Sequence, residues 1–220
     1  YQDWEIEFDA YFQNKKLGQV KLHLPGRHNI SNALAAIACA VNLDIDFSVI
    51  SRALSEFKGI ERRLQIKGVT SSVTHRLASP SGGRGGKEGI VVVDDYGHHP
   101  REIEATLSAI KQRWAKNRLI VIFQPHRYTR TKILADEFGR AFTQADLIRL
   151  MEIYPAGEKP IPGVSAKLIY DALEKNGKNV TMFASEQVNK LVKELKPGDI
   201  VLTLGAGDVW KLGEKLLEKL

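Results

Sequence analysis

The chain has 220 residues, 43% of them hydrophobic, enough for one or two domains with a sizeable core. Its formal net charge of +6 permits nucleic acid, nucleotides or other anions as partners without choosing among them, and a single cysteine excludes an internal disulfide framework. No apolar run reaches membrane-spanning length and the first residues, Tyr1-Gln2-Asp3-Trp4-Glu5, do not read as a signal peptide, so a cytoplasmic protein is expected.

Residues 4 to 24 alternate apolar and polar side chains in two stretches around Asn14-Lys15-Lys16, with Trp4, Ile6 and Phe8 sharing a parity in the first and Val20, Leu22 and Leu24 in the second. That pattern predicts a hairpin or two strands, ended by Pro25-Gly26. Helices are expected over 30–42 (Ala33, Leu34, Ile37, Ala38 and Val41 inward) and 47–57 (Val49, Ile50, Ala53, Leu54 and Phe57 inward). Cys39, among alanines and Val41, reads as a buried inert thiol. A strand follows from Arg62 to Val69.

Residues 70–88 are rich in Ser, Thr and Gly and cannot pack a core, so they predict a flexible linker or insertion between a part spanning 1–69 and a second domain spanning 89–220. Beyond it strands alternate with helices. The strands are expected at Ile90–Val93, Leu119–Phe123, Leu147–Ile153, Val180–Phe183 and Ile200–Leu204. The helices are expected at Arg101–Trp114, Lys132–Phe142 (Ile133, Leu134, Phe138 and Ala141 inward), Ala166–Lys175, Gln187–Leu195 and Val209–Leu220. The fold class is therefore α/β, with a doubly wound, mostly parallel, Rossmann-like sheet in the second domain. Ligands of such sheets sit outside the carboxyl ends of the strands.

Two polar clusters fall at that edge. Asp94-Asp95-Tyr96-Gly97-His98-His99-Pro100 follows one strand, and Gln124-Pro125-His126-Arg127-Tyr128-Thr129-Arg130 follows the next; Tyr154-Pro155-Ala156-Gly157 lies at the same edge. Pro100 suits a first helical turn, which places His98 and His99 at a helix start, where anions are favoured. Asp95 can accept hydrogen bonds from a ribose, and His98 and Tyr96 can hold a carboxylate or move a proton near neutral pH. The competing reading is a helix cap made by Asp94 or Asp95. Arg127 and Arg130 can grip a carboxylate or phosphate with their guanidinium forks. The alternative is a surface-paired basic helix start. A third cluster, Gly26-Arg27-His28-Asn29-Ile30-Ser31-Asn32-Ala33, offers amides suited to an adenine edge or to an N-cap. Arg62-Arg63 reads first as surface charge. Gly205-Ala206-Gly207 reads as a tight turn at the ligand edge, since Trp210 stands where a dinucleotide fingerprint needs a small residue. The histidines and aspartates match no zinc spacing, so no metal ligands are assigned.

Taken together these motifs resemble the Mur ligases, the ATP-dependent amide ligases of peptidoglycan precursor synthesis. The resemblance rests on Gly26-Arg27-His28-Asn29 with Asn32-Ala33, on Gly59-Ile60-Glu61-Arg62-Arg63-Leu64-Gln65, on the Asp94–Pro100 heptapeptide with Glu102-Ile103, and on Pro125-His126-Arg127-Tyr128-Thr129-Arg130. It is closest to members that join L-alanine to UDP-N-acetylmuramate through an acyl phosphate, with ATP as co-substrate and Mg2+ bridging its phosphates. The resemblance implies that His28, Asn29 and Asn32 bind adenine, that Arg63 reaches the ATP phosphates and that Asp95 binds the ribose. It implies that Tyr96, His98, His126, Arg127 and Arg130 form the substrate pocket, with His98 and Arg127 as the catalytic pair. It further implies that residues 1–69 are the end of a central ATP-binding domain, that the amino-terminal part of the enzyme is missing along with most magnesium ligands, and that the chain alone is inactive. Two other readings compete: a recycling ligase that adds a murein tripeptide, and, from a different class, a basic nucleic-acid-binding module using His126 to Lys132. Steep weakening of binding with salt would reveal the latter. The ligase reading gives nucleic acid no role.

Overall fold

A computed structural model describes residues 5–24, 26–70 and 89–220. It divides into two compact units, Tyr1–Glu61 and Arg62–Leu220. Residues 71–88 of the expected linker lie outside the described residues.

The first unit is a hairpin, β1 (Ile6–Phe12) and β2 (Lys15–Leu22), followed by α1 (Arg27–Asn42) and α2 (Phe47–Glu56). The strands pair antiparallel, with Ile6 opposite Leu22. The core of this unit is small: Ala10, Val20 and Leu22 from the hairpin, Ala33 and Ile37 from α1 and Ile50 from α2, with Phe8, Leu17, Phe47 and Leu54 packed around them. Asp46 starts α2 by accepting the Ser48 N–H at 2.7 Å. The inward faces are narrower than the spacing predicts. Leu34, Ala38, Val49, Ala53 and Phe57 are exposed. Cys39 is exposed as well, not buried. At about 100° per residue it stands some 200° around α1 from Ile37, on the opposite side.

The second unit is a six-stranded sheet in the order β3-β4-β8-β5-β6-β7. Its strands are β3 (Gln65–Val69), β4 (Val91–Asp95), β5 (Leu119–Phe123), β6 (Leu147–Leu150), β7 (Val180–Met182) and β8 (Ile200–Leu204). Five strands run parallel. β3 pairs antiparallel with β4 at the edge, so residues 62–69, expected with the first part, belong to the second unit. The helices are α3 (Pro100–Arg113), α4 (Tyr128–Ala141), α5 (Lys167–Lys175), α6 (Val188–Glu194) and α7 (Trp210–Leu217).

Alternate residues of the central strands feed two cores, which is why these strands read as nearly continuous apolar runs. Leu119, Val121 and Phe123 join Leu202 and Leu204 under Ile103, Leu107 and Ile110 of α3, Phe138 of α4 and Ile169 and Leu173 of α5. Ile120, Ile122 and Val201 pack under Leu191 of α6 and Leu212 and Leu216 of α7. Helices thus cover both faces, the doubly wound arrangement expected. Helix α4 begins four residues earlier than its periodicity suggests. It is kinked at Leu134, where φ is −110° and ψ 15°. Ile133, expected inward, is 76% exposed. It lies about 140° around the helix from Phe138, and only Leu134 of the pair turns to the core.

Candidate active site at the strand ends

Strand register brings three loops to one level. Asp95 and Phe123 each pair with Leu204, the last residue of β8, so the segments after β4, β8 and β5 leave the sheet side by side. The antiparallel β3 places Gln65 opposite Asp94, which delivers Arg62 and Arg63 to the same edge. The two clusters are not on neighbouring strands: β8 lies between them. They meet because the β8 loop is almost without side chains. A Cβ on Gly205 would come within 2.6 Å of the Gln124 carbonyl oxygen, and one on Gly207 would overlap the Gln124 amide and the Tyr154 ring.

Across that loop the rings form a row. Tyr96 meets His98 edge-on at 5.4 Å between centroids, His98 lies 5.4 Å from His126, and His126 stacks on Tyr154 at 5.8 Å and 12°. Nδ1 of His98 is 3.0 Å from the Tyr96 carbonyl oxygen, which can only accept, so the bond requires a proton on Nδ1. In the neutral ring Nε2 then carries the lone pair. His126 has the opposite tautomer. Arg130 donates to its Nδ1 at 3.2 Å and to its carbonyl at 3.1 Å, leaving the proton on Nε2. Burial pushes the His126 pKa below the ordinary imidazole value, and the nearby His98, Arg130 and Arg127 push it the same way. The neutral form is therefore favoured.

The arginines differ. Arg130 is half-buried; burial, then Arg127, lowers its pKa without threatening its charge. Only its Nη1 is bonded among the described residues. Arg127 is exposed and its side chain makes no hydrogen bond or ion pair among the described residues. Its backbone has φ 74° and ψ 139°, a left-handed conformation that costs a non-glycine residue about 1–3 kcal/mol. The turn is held by Arg127 N–H donating to the Tyr154 carbonyl at 2.9 Å and by Thr131, 1% exposed, whose N–H and hydroxyl both donate to the Arg127 carbonyl. Arg127 cannot cap α4 with its side chain. Glu158 does so from the next loop, accepting the Thr129 N–H at 3.0 Å and its hydroxyl at 2.6 Å.

The acids are mostly committed. Asp94, fully buried, accepts from Arg62 Nε at 3.0 Å and from the Thr203 hydroxyl at 2.6 Å. Asp95, the expected ribose ligand, is 3% exposed and turned inward. It accepts from the N–H groups of Leu64 (2.8 Å) and Gly97 (2.7 Å) and from the Thr106 hydroxyl (3.2 Å). Burial raises its pKa, against the lowering by those bonds. In this structure Asp95 fixes the Arg62–Leu64 turn and the start of the His98 loop. Glu102 accepts the His98 and His99 N–H groups at 2.9 and 3.1 Å and lies 3.5 Å from His98 Nδ1 and 3.8 Å from Arg63. Burial works to raise its pKa, but the bonds from His98 and His99 outweigh it. His99 itself caps α3 by accepting the Arg101 N–H.

Of the residues expected at the site, Tyr96, His98, His126, Arg127 and Arg130 converge, with Arg63 beside Tyr96 at 5.7 Å. His28, Asn29 and Asn32 stand in the first unit, inside the opening turns of α1, with Asn32 Nδ2 donating to Asn29 Oδ1 at 3.2 Å. Sequence reasoning missed the roles of Glu102, Gln124, Tyr154 and Glu158. Glu102 had a signal, the acid two residues after a helix-opening proline; Glu158 had none. Among the described residues no group of three His, Cys, Asp or Glu side chains could hold a metal ion, and no helix is long and apolar enough to cross a membrane.

Residues 83–207 match the family described as Mur ligase, glutamate ligase domain. A UDP-N-acetylmuramate–L-alanine ligase of Dictyoglomus turgidum is 48% identical over 97% of this chain and 43% of its own length. A second ligase of that name, from Endomicrobium trichonymphae, is 47% identical over 96% of this chain and 42% of its own. Among solved structures, UDP-N-acetylmuramate–alanine ligase MurC from Thermotoga maritima aligns with a TM-score of 0.76 at 28% identity, covering 98% of this chain and 43% of that one. A murein peptide ligase from Psychrobacter arcticus aligns with a TM-score of 0.65 at 26% identity, covering 96% and 41%. The chain therefore spans less than half the length of the relatives it matches.

Proposed function

The chain belongs to the Mur ligase family, and on that premise we propose that it is the amino-acid-adding portion of an ATP-dependent ligase joining L-alanine to UDP-N-acetylmuramate through an acyl phosphate. The observation that carries this reading is the convergence of His98, His126, Arg127 and Arg130 on one strand edge. It is supported by relatives at 47–48% identity that bear that enzyme's name.

Each residue has a role its geometry suits. Arg127, free and aimed outward by a strained backbone, and the unused nitrogens of Arg130 bind a carboxylate. His126, held neutral, donates from Nε2 to the oxygen that gains charge as the carbonyl is attacked. His98 presents the Nε2 lone pair and removes the proton from the attacking amine as the C–N bond forms and phosphate departs. Tyr96 walls the site beside His98. Fixing these groups before substrate arrives is the main contribution such a site makes, because the reaction is chiefly positioning and charge stabilisation.

ATP supplies the activating phosphoryl group. For this chain we assign the adenine to His28, Asn29 and Asn32 of α1 and a phosphate contact to Arg63, whose 3.8 Å pairing with Glu102 is loose enough to exchange. Asp95, expected at the ribose, supports the site from inside, where its carboxylate accepts from Leu64, Gly97 and Thr106. Mg2+ would be held mostly by groups outside this chain, since no three His, Cys, Asp or Glu side chains gather among the described residues. Dependence on ATP places the reaction in the cytoplasm.

The test is phosphate release by the full-length protein that carries this chain. Release is expected only when ATP, UDP-N-acetylmuramate and L-alanine are all present, and the 220-residue chain alone should give none above background. Release that a tripeptide supports better than L-alanine would shift the assignment to a recycling ligase, and release by the chain alone would refute the division of labour.

A further inference from the structure

Resting on that reading, we infer that Asp208 is the carboxylate that receives the ammonium group of the amino-acid substrate on binding; the ammonium then gives one proton to solvent, and His98 takes the second as the resulting amine attacks. An amino acid held by its carboxylate on Arg127 and Arg130 presents a cation that also needs a partner, and every group placed there so far is basic or neutral. The acids already described are spent. Asp94 is enclosed with Arg62 and Thr203, Asp95 accepts three internal donors, Glu102 holds the His98 loop and Glu158 caps α4.

Asp208 differs. It stands in the loop after β8, between the two clusters, and is exposed. One oxygen accepts from Gln124 Nε2 at 2.9 Å, and it makes no ion pair among the described residues. Gln124 is 6% exposed and two residues before His126. Its other amide atom accepts the Val209 N–H at 3.1 Å, which fixes the orientation of the amide, since a flip would set two donors against each other. A buried glutamine satisfied at both ends by one loop is a costly and specific brace. One end of the brace takes up the N–H of Val209, the residue that opens α7 and makes no side-chain cap of its own; the other end holds Asp208. The brace holds the Asp208 carboxylate with its second oxygen unbonded among the described residues. Gly207, its neighbour in the chain, lies against the Tyr154 ring that stacks on His126.

The experiment is steady-state kinetics of the full-length enzyme with Asp208→Asn, which keeps an acceptor for Gln124 and removes the charge. The KM for L-alanine should rise tenfold or more, with the KM values for ATP and UDP-N-acetylmuramate within twofold and the melting temperature unchanged. Asp208→Glu should recover part of the loss. Glu152→Gln, which neutralises an exposed acid after β6 that has no such brace, should leave all three KM values alone. An active wild type with an unchanged L-alanine KM in Asp208→Asn overturns the inference alone, as does a rise in Glu152→Gln instead. A wild type that releases no phosphate with L-alanine overturns the underlying reading and this inference with it.

Discussion

In the second unit every residue of β5 is 1% exposed or less, whereas in the first unit α2 buries Ile50 and leaves Val49 and, at its end, Phe57 each 44% exposed. The same periodic spacing of apolar residues is used to different depths. A sheet with helices on both faces encloses its strands from two sides, while a two-stranded hairpin covers only a stripe of the helices beside it. The groups assigned to the transfer step stand on the enclosed sheet. The amides assigned to adenine stand on a helix with two buried residues, Ala33 and Ile37. Precision of placement follows depth of packing, so His98 and Arg130 are held more firmly than Asn29 or Asn32.

Truncations give the most forceful way to break that contrast. Phe138→Ala removes a fully buried ring from beneath α4 and should cost about 3–5 kcal/mol in chemical denaturation, while Phe57→Ala should cost less than about 0.5 kcal/mol. Equal losses would mean the two units share one stability. Next comes Gly205→Ala. With φ 142° and a Cβ 2.6 Å from the Gln124 carbonyl, it should cost about 1–3 kcal/mol and weaken turnover by displacing the bare loop between the histidines.

The smallest effect is a pH dependence. His126 has its folded pKa depressed below 6.5, so the unfolded chain binds the proton more readily. Stability should therefore rise with pH through the window between the depressed value and 6.5, and fall as acid protonates His126 through its folded pKa. Denaturation midpoints of wild type and His126→Gln, compared from pH 5 to 7.5, check the sign: the wild-type slope should be the steeper.

Much of this was legible in the chain. Leu119–Phe123 and Ile200–Leu204 begin and end where the sequence predicts, because fully enclosed strands carry few polar positions, here only Thr203, to blur their limits. The clusters at 94–100 and 124–130 mark the strand edge correctly, since polar residues crowd where an apolar strand leaves the sheet. The insertion of β8 between them is invisible to periodicity, and with it the reason for Gly205 and Gly207. The inward turn of Asp95 was equally hidden, because an acid that binds a ribose and one that ties down a turn are spelled alike. Ile133 and Cys39 mislead for a simpler reason: spacing finds the direction of a helical face but not its width. The Tyr154 stack and the Glu158 cap join segments 28 and 29 residues apart in sequence and leave no local trace.

The most direct test of the central claim is the L-alanine dependence of phosphate release in the full-length enzyme with Arg130→Ala. If this strand edge binds the reacting amino acid, kcat/KM for L-alanine should fall about a hundredfold or more, the scale set by leaving a bound carboxylate without its charged partner. Wild-type kinetics in that variant would contradict the assignment.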